Sequence, residues 1–182
     1  MKRVLLPLAE GVEEMEAVIL IDVLRRAAWN VVSAGLEAGP VTASRGVRLL
    51  PDADWDDLAL GEFDVFLLPG GGGGTEQLCA DERVVNAARE FAASGRWVAA
   101  ICAAPLVLHK AGLLEGKSFT SYPSVKDNLP VTGYKEEPVV QDGNLFTSRG
   151  PGTAFALALA LISALENPAK AQAVAADMLY SV

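Results

Sequence analysis

Histidine is nearly absent from this 182-residue sequence, occurring once, as His109. Cysteine occurs twice, at Cys79 and Cys102, with no C-x-x-C spacing. These scarcities exclude a disulfide framework and argue against a zinc site, so neither a metal nor another cofactor is expected. Basic residues number 15 against 23 acidic ones, and the net charge of −8 opposes the phosphate neutralisation that nucleic-acid binding requires. Long hydrophobic runs are missing too. The most apolar segment, Ala154 to Leu165, falls well short of the roughly 20 residues that span a bilayer. The run from Val4 to Ala9 after Met1-Lys2-Arg3 is broken by Pro7 and followed by acidic residues, so it lacks the core of a signal peptide. The reading is of a soluble protein of a reducing cytoplasm, with no nucleic-acid or membrane partner. No repeat or low-complexity linker interrupts the chain, and its length suits one domain over residues 1–182.

What is present centres on Trp97 to Pro105. Trp97 to Ile101 is apolar throughout and reads as a strand buried on both faces, as in parallel sheets. Cys102 ends it, flanked two residues away by the small Ala100 and Ala104, and Pro105 suits the first turn of a following helix. This is the strand-turn-helix pattern of a nucleophile elbow. A thiol at a helix N-terminus faces unpaired N–H groups, which favours the thiolate. His109 lies seven residues on, roughly 10 Å down that helix, so it does not serve as the base of a Cys-His pair.

Upstream, Arg3 to Ala9 reads as a first buried strand and Val12 to about Ala28 as a helix. On that helix Glu16 has Val12, Ile19, Leu20 and Val23 as its neighbours on one face, which sets a carboxyl in an apolar stripe. Desolvation there raises its pKa and can keep it protonated, able to donate to a neighbouring thiolate. Glu13 and Glu14 read as first-turn charges that complement the helix dipole, and Arg26 as a cation at its end. A second strand is expected from Asn30 to Leu36. A hairpin at a sheet edge is expected from Val41 to Ser44 and Val47 to Leu50, with Arg45 in its turn.

Phe63 to Leu68 is a further buried strand that runs into Pro69 and five glycines, Gly70 to Gly74, before a short helix from Thr75. The phosphate-binding signatures are not met. The glycines instead offer unhindered backbone N–H groups, suited to half of an oxyanion hole. Cys79 reads as packing. Glu82 to Ser94 is an amphipathic helix capped by Asp81. Ser118 to Ser121 reads as a strand, Pro138 to Gln141 and Asn144 to Ser148 as a hairpin, and Ala154 to Leu165 and Pro168 to Tyr180 as closing helices. Strands alternating with helices imply an α/β fold: a flavodoxin-like three-layer sandwich around a doubly wound, mostly parallel sheet. Its unusual features sit at three strand ends, Glu16, the glycines and Cys102.

Four motifs in order, Glu13-Glu14-Met15-Glu16, Leu68-Pro69-Gly70-Gly71, Ala100-Ile101-Cys102-Ala103-Ala104-Pro105 and Ser148-Arg149-Gly150-Pro151-Gly152-Thr153, resemble the Parkinsonism-associated protein deglycase family of the ThiJ/PfpI superfamily. The resemblance implies Cys102 as the reactive, oxidation-prone cysteine with a protonated Glu16 beside it. It implies Gly71 and Ala103 N–H as anion-stabilising donors, and Arg45, Arg149 and Pro151 near the pocket, some reaching it across a homodimer. Ala103 stands where the protease-like branch carries a histidine, which argues against peptidase activity, and the lack of a pocket histidine elsewhere argues equally against glutaminase activity. Tyr122 stands where animal members have a pocket histidine, and a tyrosine with pKa near 10 is a poor base. Two functions follow as expectations: a cysteine-dependent enzyme acting on a small aldehyde or glycated-protein substrate, or a non-enzymatic oxidation sensor or chaperone using the same cysteine.

Overall fold

Strands that alternate small and large apolar residues with no polar face must be covered on both sides, and the computed structural model, which describes residues 1–181, meets that demand with two helical layers. In chain order the elements are β1 (Arg3–Leu8), α1 (Glu14–Arg26), β2 (Asn30–Gly35), β3 (Val41–Thr42), β4 (Arg48–Leu49), β5 (Ala53–Asp54), β6 (Val65–Leu68), α2 (Gly72–Ala80), α3 (Glu82–Ala93), β7 (Trp97–Ile101), α4 (Pro105–Lys110), β8 (Val139–Asp142), β9 (Leu145–Ser148), α5 (Ala154–Leu165) and α6 (Pro168–Asp177). Seven strands form one sheet in the order β5-β2-β1-β6-β7-β9-β8, parallel except for β8 against β9. Val65 and Leu67 face the α1, α5 and α6 layer, while Phe66 and Leu68 face the α2, α3 and α4 layer. The chain winds outward from β1 through β2 to β5, then returns to the other side of β1 as β6 and proceeds to β7. In sheets of this kind such a reversal lies beside the carboxyl ends of the strands that hold the reactive groups, here β1 and β6.

Several expectations need correction. Ser118 to Ser121 is not a strand: only a single bridge joins Phe119 to Tyr134. The reason is that β8 already occupies the free edge of β9, and side chains take the waiting amides, Asp142 accepting from Ser118 N and Thr147 from Thr120 N, both at 2.9 Å. The β3–β4 hairpin forms a separate two-stranded ribbon and not an edge of the main sheet. α2 starts at Gly72 rather than Thr75, so most of the glycine run is helical. α6 stops at Asp177, and Leu179 just beyond it has a positive φ of 56°, which no helix continues. The short β5 and the single 3₁₀ turns had no sequence signal.

Phe66 is fully buried between Trp55 and Phe91, at centroid separations of 6.1 and 5.4 Å. Replacing it with alanine is expected to cost about 3–5 kcal/mol, read as a lower urea midpoint, whereas Glu76→Ala, at an exposed position on α2, stays within about 0.5 kcal/mol of wild type.

Candidate active site

The strand β7 ends at Ile101 and the chain turns at once, leaving Cys102 with a positive φ of 63°. A non-glycine residue held there stores backbone strain. The turn is pinned from both sides: Cys102 N donates to Ser148 O at 2.9 Å, and Tyr122 N donates to Cys102 O at 2.8 Å. Ala104 N then closes on Ile101 O, and Pro105 begins α4. The thiol is half-buried, and the amides of Gly71 and Ala103 face it and favour its charged form.

Glu16 reaches this sulfur from α1 with none of its side chain exposed. Its Oε2 accepts from Gly70 N at 2.8 Å, and Oε1 meets no nitrogen or oxygen partner. The remaining polar neighbour of the carboxyl is the Cys102 thiol. Burial pushes the Glu16 carboxyl up to about 7; the bonds from Gly70 N–H and the thiol pull the other way, and the Glu13 charge adds to the rise. Burial and then the Glu16 charge push the Cys102 thiol up to about 12, against the downward pull of the Gly71 and Ala103 amides. That direction is opposite to the one expected from the elbow alone. The reason is burial first and coupling second: desolvation disfavours the thiolate, and once Glu16 has lost its proton a second loss would set two anions side by side. Over the intervening range they share one proton and one negative charge, so thiolate with carboxylic acid and thiol with carboxylate are two forms of a single state.

Sequence reasoning picked out Gly71 but missed its neighbour. A Cβ on Gly70 would lie 2.6 Å from Cys102 Cβ and 2.7 Å from Glu16 Oε2, so only glycine lets acid and sulfur meet across it. The signal was available, since Gly70 is the first glycine after a buried strand, but five in a row hid which one mattered. Glu14 is also misread as a first-turn surface charge. It is 8% exposed, and its carboxylate accepts from Ser44 Oγ and from Arg45 N, both at 2.8 Å. Burial would raise it, but its own amide, the Ser44 hydroxyl and the amides of Arg45 and Val47 hold it below the ordinary carboxylate value.

The other expected residues are less closely gathered. Tyr122 touches the elbow through its backbone, while its side chain is 45% exposed and packs over Gly150. Arg45 is exposed, and its guanidinium reaches only Ser44 O. Arg149 is half-buried, its backbone N bonded to Pro138 O, and Pro151 opens the turn before α5. Neither Arg45 nor Arg149 forms an ion pair among the described residues. Ser148, Gly150 and Thr153 tie that loop through Thr153 Oγ1, which lies 2.6 Å from Ser148 Oγ and 3.1 Å from Gly150 N. His109 sits in the last turn of α4, away from the sulfur.

Residues 2–164 match the DJ-1/PfpI family. Protein dj-1beta of Drosophila melanogaster is 47% identical, over 99% of this chain and 98% of its own length. The glutathione-independent glyoxalase DJR-1.2 of Caenorhabditis elegans is 36% identical, over 92% of this chain and 89% of its own. The solved structure of Toxoplasma gondii DJ-1 in its oxidized form superposes over the full length of both chains with a TM-score of 0.95 at 37% identity.

Because the folded chain holds the Glu16 proton more tightly than the unfolded one, its contribution to stability is complete below about pH 4.5 and is lost as pH rises through about 7. By pH 8 the loss is about 3 kcal/mol. Glu16→Gln is expected to abolish that component, so its urea midpoint changes less than that of wild type between pH 5 and pH 8. Gly70→Ala is expected to crowd acid and sulfur apart and to cost about 1–3 kcal/mol of stability, read as a lower urea midpoint, because the added methyl has no room.

Proposed function

This chain belongs to the DJ-1/PfpI family, and we propose that it is a cofactor-independent enzyme that uses Cys102 to convert small reactive carbonyls such as methylglyoxal to hydroxy acids. The observation that carries the reading is the meeting of the fully buried Glu16 carboxyl and the Cys102 thiol across Gly70, whose N–H donates to Glu16 Oε2 at 2.8 Å. In the thiolate form the sulfur adds to the aldehyde carbon, and the C=O π bond becomes an alkoxide. The Gly71 and Ala103 amides stabilise that charge. Glu16, protonated in that form, first gives its proton to the alkoxide and then, as carboxylate, takes the proton from the former aldehyde carbon and delivers it to the adjacent ketone carbon. The hydroxyl proton passes to the ketone oxygen as the former aldehyde carbon becomes a thioester carbonyl, and water releases lactate and restores the thiol. The net change is addition of one water, with no external oxidant or reductant. Glycated protein adducts that retain a free carbonyl enter the same scheme. No imidazole serves the site, and Tyr122 is a poor base, so proton transfer falls to Glu16 and turnover is slow.

A second reading, oxidation sensing, is favoured by the half-exposure of Cys102 and by donors that suit a sulfinate oxygen as well as an alkoxide. Two equivalents of peroxide would take the thiolate to sulfinate with release of two waters. A relative in this family is known in an oxidized form. Cys79 competes poorly, because no backbone amide faces its sulfur as those of Gly71 and Ala103 face the sulfur of Cys102.

For assembly we propose a homodimer. Met15 and Val18 on α1 and Val47 and Leu50 on the adjoining hairpin are large apolar residues left exposed, and a second copy covering them would also bring its Arg45 close to this site. Lactate formation from methylglyoxal should be abolished in Cys102→Ser; equal rates in the two proteins, or no turnover in either, reject the enzymatic reading. Mass spectrometry after mild peroxide then decides the second reading, which requires Cys102 to be oxidised before Cys79.

A further inference from the structure

α1 carries the acid in its first turn, yet that turn has no ordinary cap. Glu13, at the N-cap position, makes no side-chain bond to the helix, and uncapped first turns fray. The hairpin loop lies against this weak point. Thr42 N donates to Glu10 Oε1 at 2.9 Å, Gly11 N to Thr42 O and Ser44 N to Val12 O at 2.8 Å each. Ser44 Oγ lies 2.8 Å from both Glu13 Oε2 and Glu14 Oε2, and Arg45 N donates to Glu14 Oε1. Glu14 is therefore a buried carboxylate that the proposed chemistry does not use, spent on fastening a loop to a helix start.

We propose that Glu14 is a positioning residue: its carboxylate, bonded to Ser44 and Arg45, latches the β3–β4 turn onto the start of α1 and, together with the bond from Glu13 N to Gly70 O at 2.9 Å, holds Glu16 against Gly70 and Cys102. Residues two apart on a helix point to nearly opposite sides, so the turn is gripped from one side by Glu14 and from the other by the Glu16–Gly70 bond. Releasing the first grip lets Glu16 swing toward water. The titratable groups facing Glu16 are Cys102 and Glu13, and both remain in place when the latch is cut. The proposal rests on Cys102 and Glu16 being the reacting pair, but it does not depend on which substrate they act upon.

The test is the pH profile of Cys102 alkylation by iodoacetamide in Glu14→Gln, Ser44→Ala and Ser44→Thr, each checked for folding by circular dichroism. With the latch cut, renewed solvation of Glu16 moves the first inflection of the profile toward the ordinary carboxylate value by about one unit. Ser44→Ala leaves both carboxylate charges intact, so a shift there cannot come from deleting a charge. Ser44→Thr keeps a hydroxyl and retains the wild-type profile. An inflection unchanged in folded Ser44→Ala and Glu14→Gln overturns the proposal, as does a shift of equal size in Ser44→Thr. Should Glu14→Gln fail to fold, Ser44→Ala decides alone. Because alkylation needs no turnover, a shifted inflection together with no lactate formation leaves the latch standing and removes only the enzymatic reading.

Discussion

A carboxyl group and a thiol buried side by side cannot both be ionised, and the arrangement around Cys102 follows from that constraint. Each group alone is pushed toward its neutral form by burial. Together they hold one proton, with three backbone amides, those of Gly70, Gly71 and Ala103, stabilising the negative charge wherever it resides. A six-residue α4 supplies little dipole of its own, so the Gly71 and Ala103 amides, more than the helix end, are what oppose the rise of the thiol.

The sheet topology is what makes such a pair possible. Cys102 follows β7, Gly70 follows β6, and Glu16 belongs to the helix that follows β1. These three strands lie next to one another in the order β1-β6-β7 although their sequence positions span nearly a hundred residues. Parallel neighbours deliver their carboxyl ends to one rim, beside β1 where the winding reverses. The price is a crowded rim: Gly70 has no room for a side chain, and Gly71 and Gly74 press against the Gly11 to Glu13 backbone. Glycine is needed here for close approach more than for freedom of φ.

Acidic residues near the pocket have distinct uses set by their surroundings. Glu16 is starved of donors and rises to about 7, while Glu14, two residues earlier, is surrounded by donors and falls. Glu13 lies between the two functions, sharing the Ser44 hydroxyl and adding charge near Glu16. The same hairpin that meets Glu14 also displays Val47 and Leu50, which places the surface proposed for a second copy one hydrogen bond away from the support of the acid.

Much of this was legible in the chain itself. Apolar runs ending at Leu68 and Ile101, a cysteine between small residues before a proline, and a glutamate inside an apolar stripe are local patterns. Local patterns reflect chain geometry and burial, which one segment largely encodes. Other features depended on distant partners. Ser118 to Ser121 has the composition of a strand but found β9 already paired; Glu14 has the place of a surface charge but met Ser44 and Arg45. Gly70 was indistinguishable from its four successors until Cys102 and Glu16 closed around it. The sequence by itself determined which side chains could react and which strands would be buried. Only the tertiary structure decided how their charges divide, because a pKa is set by neighbours that approach through space from other strand ends.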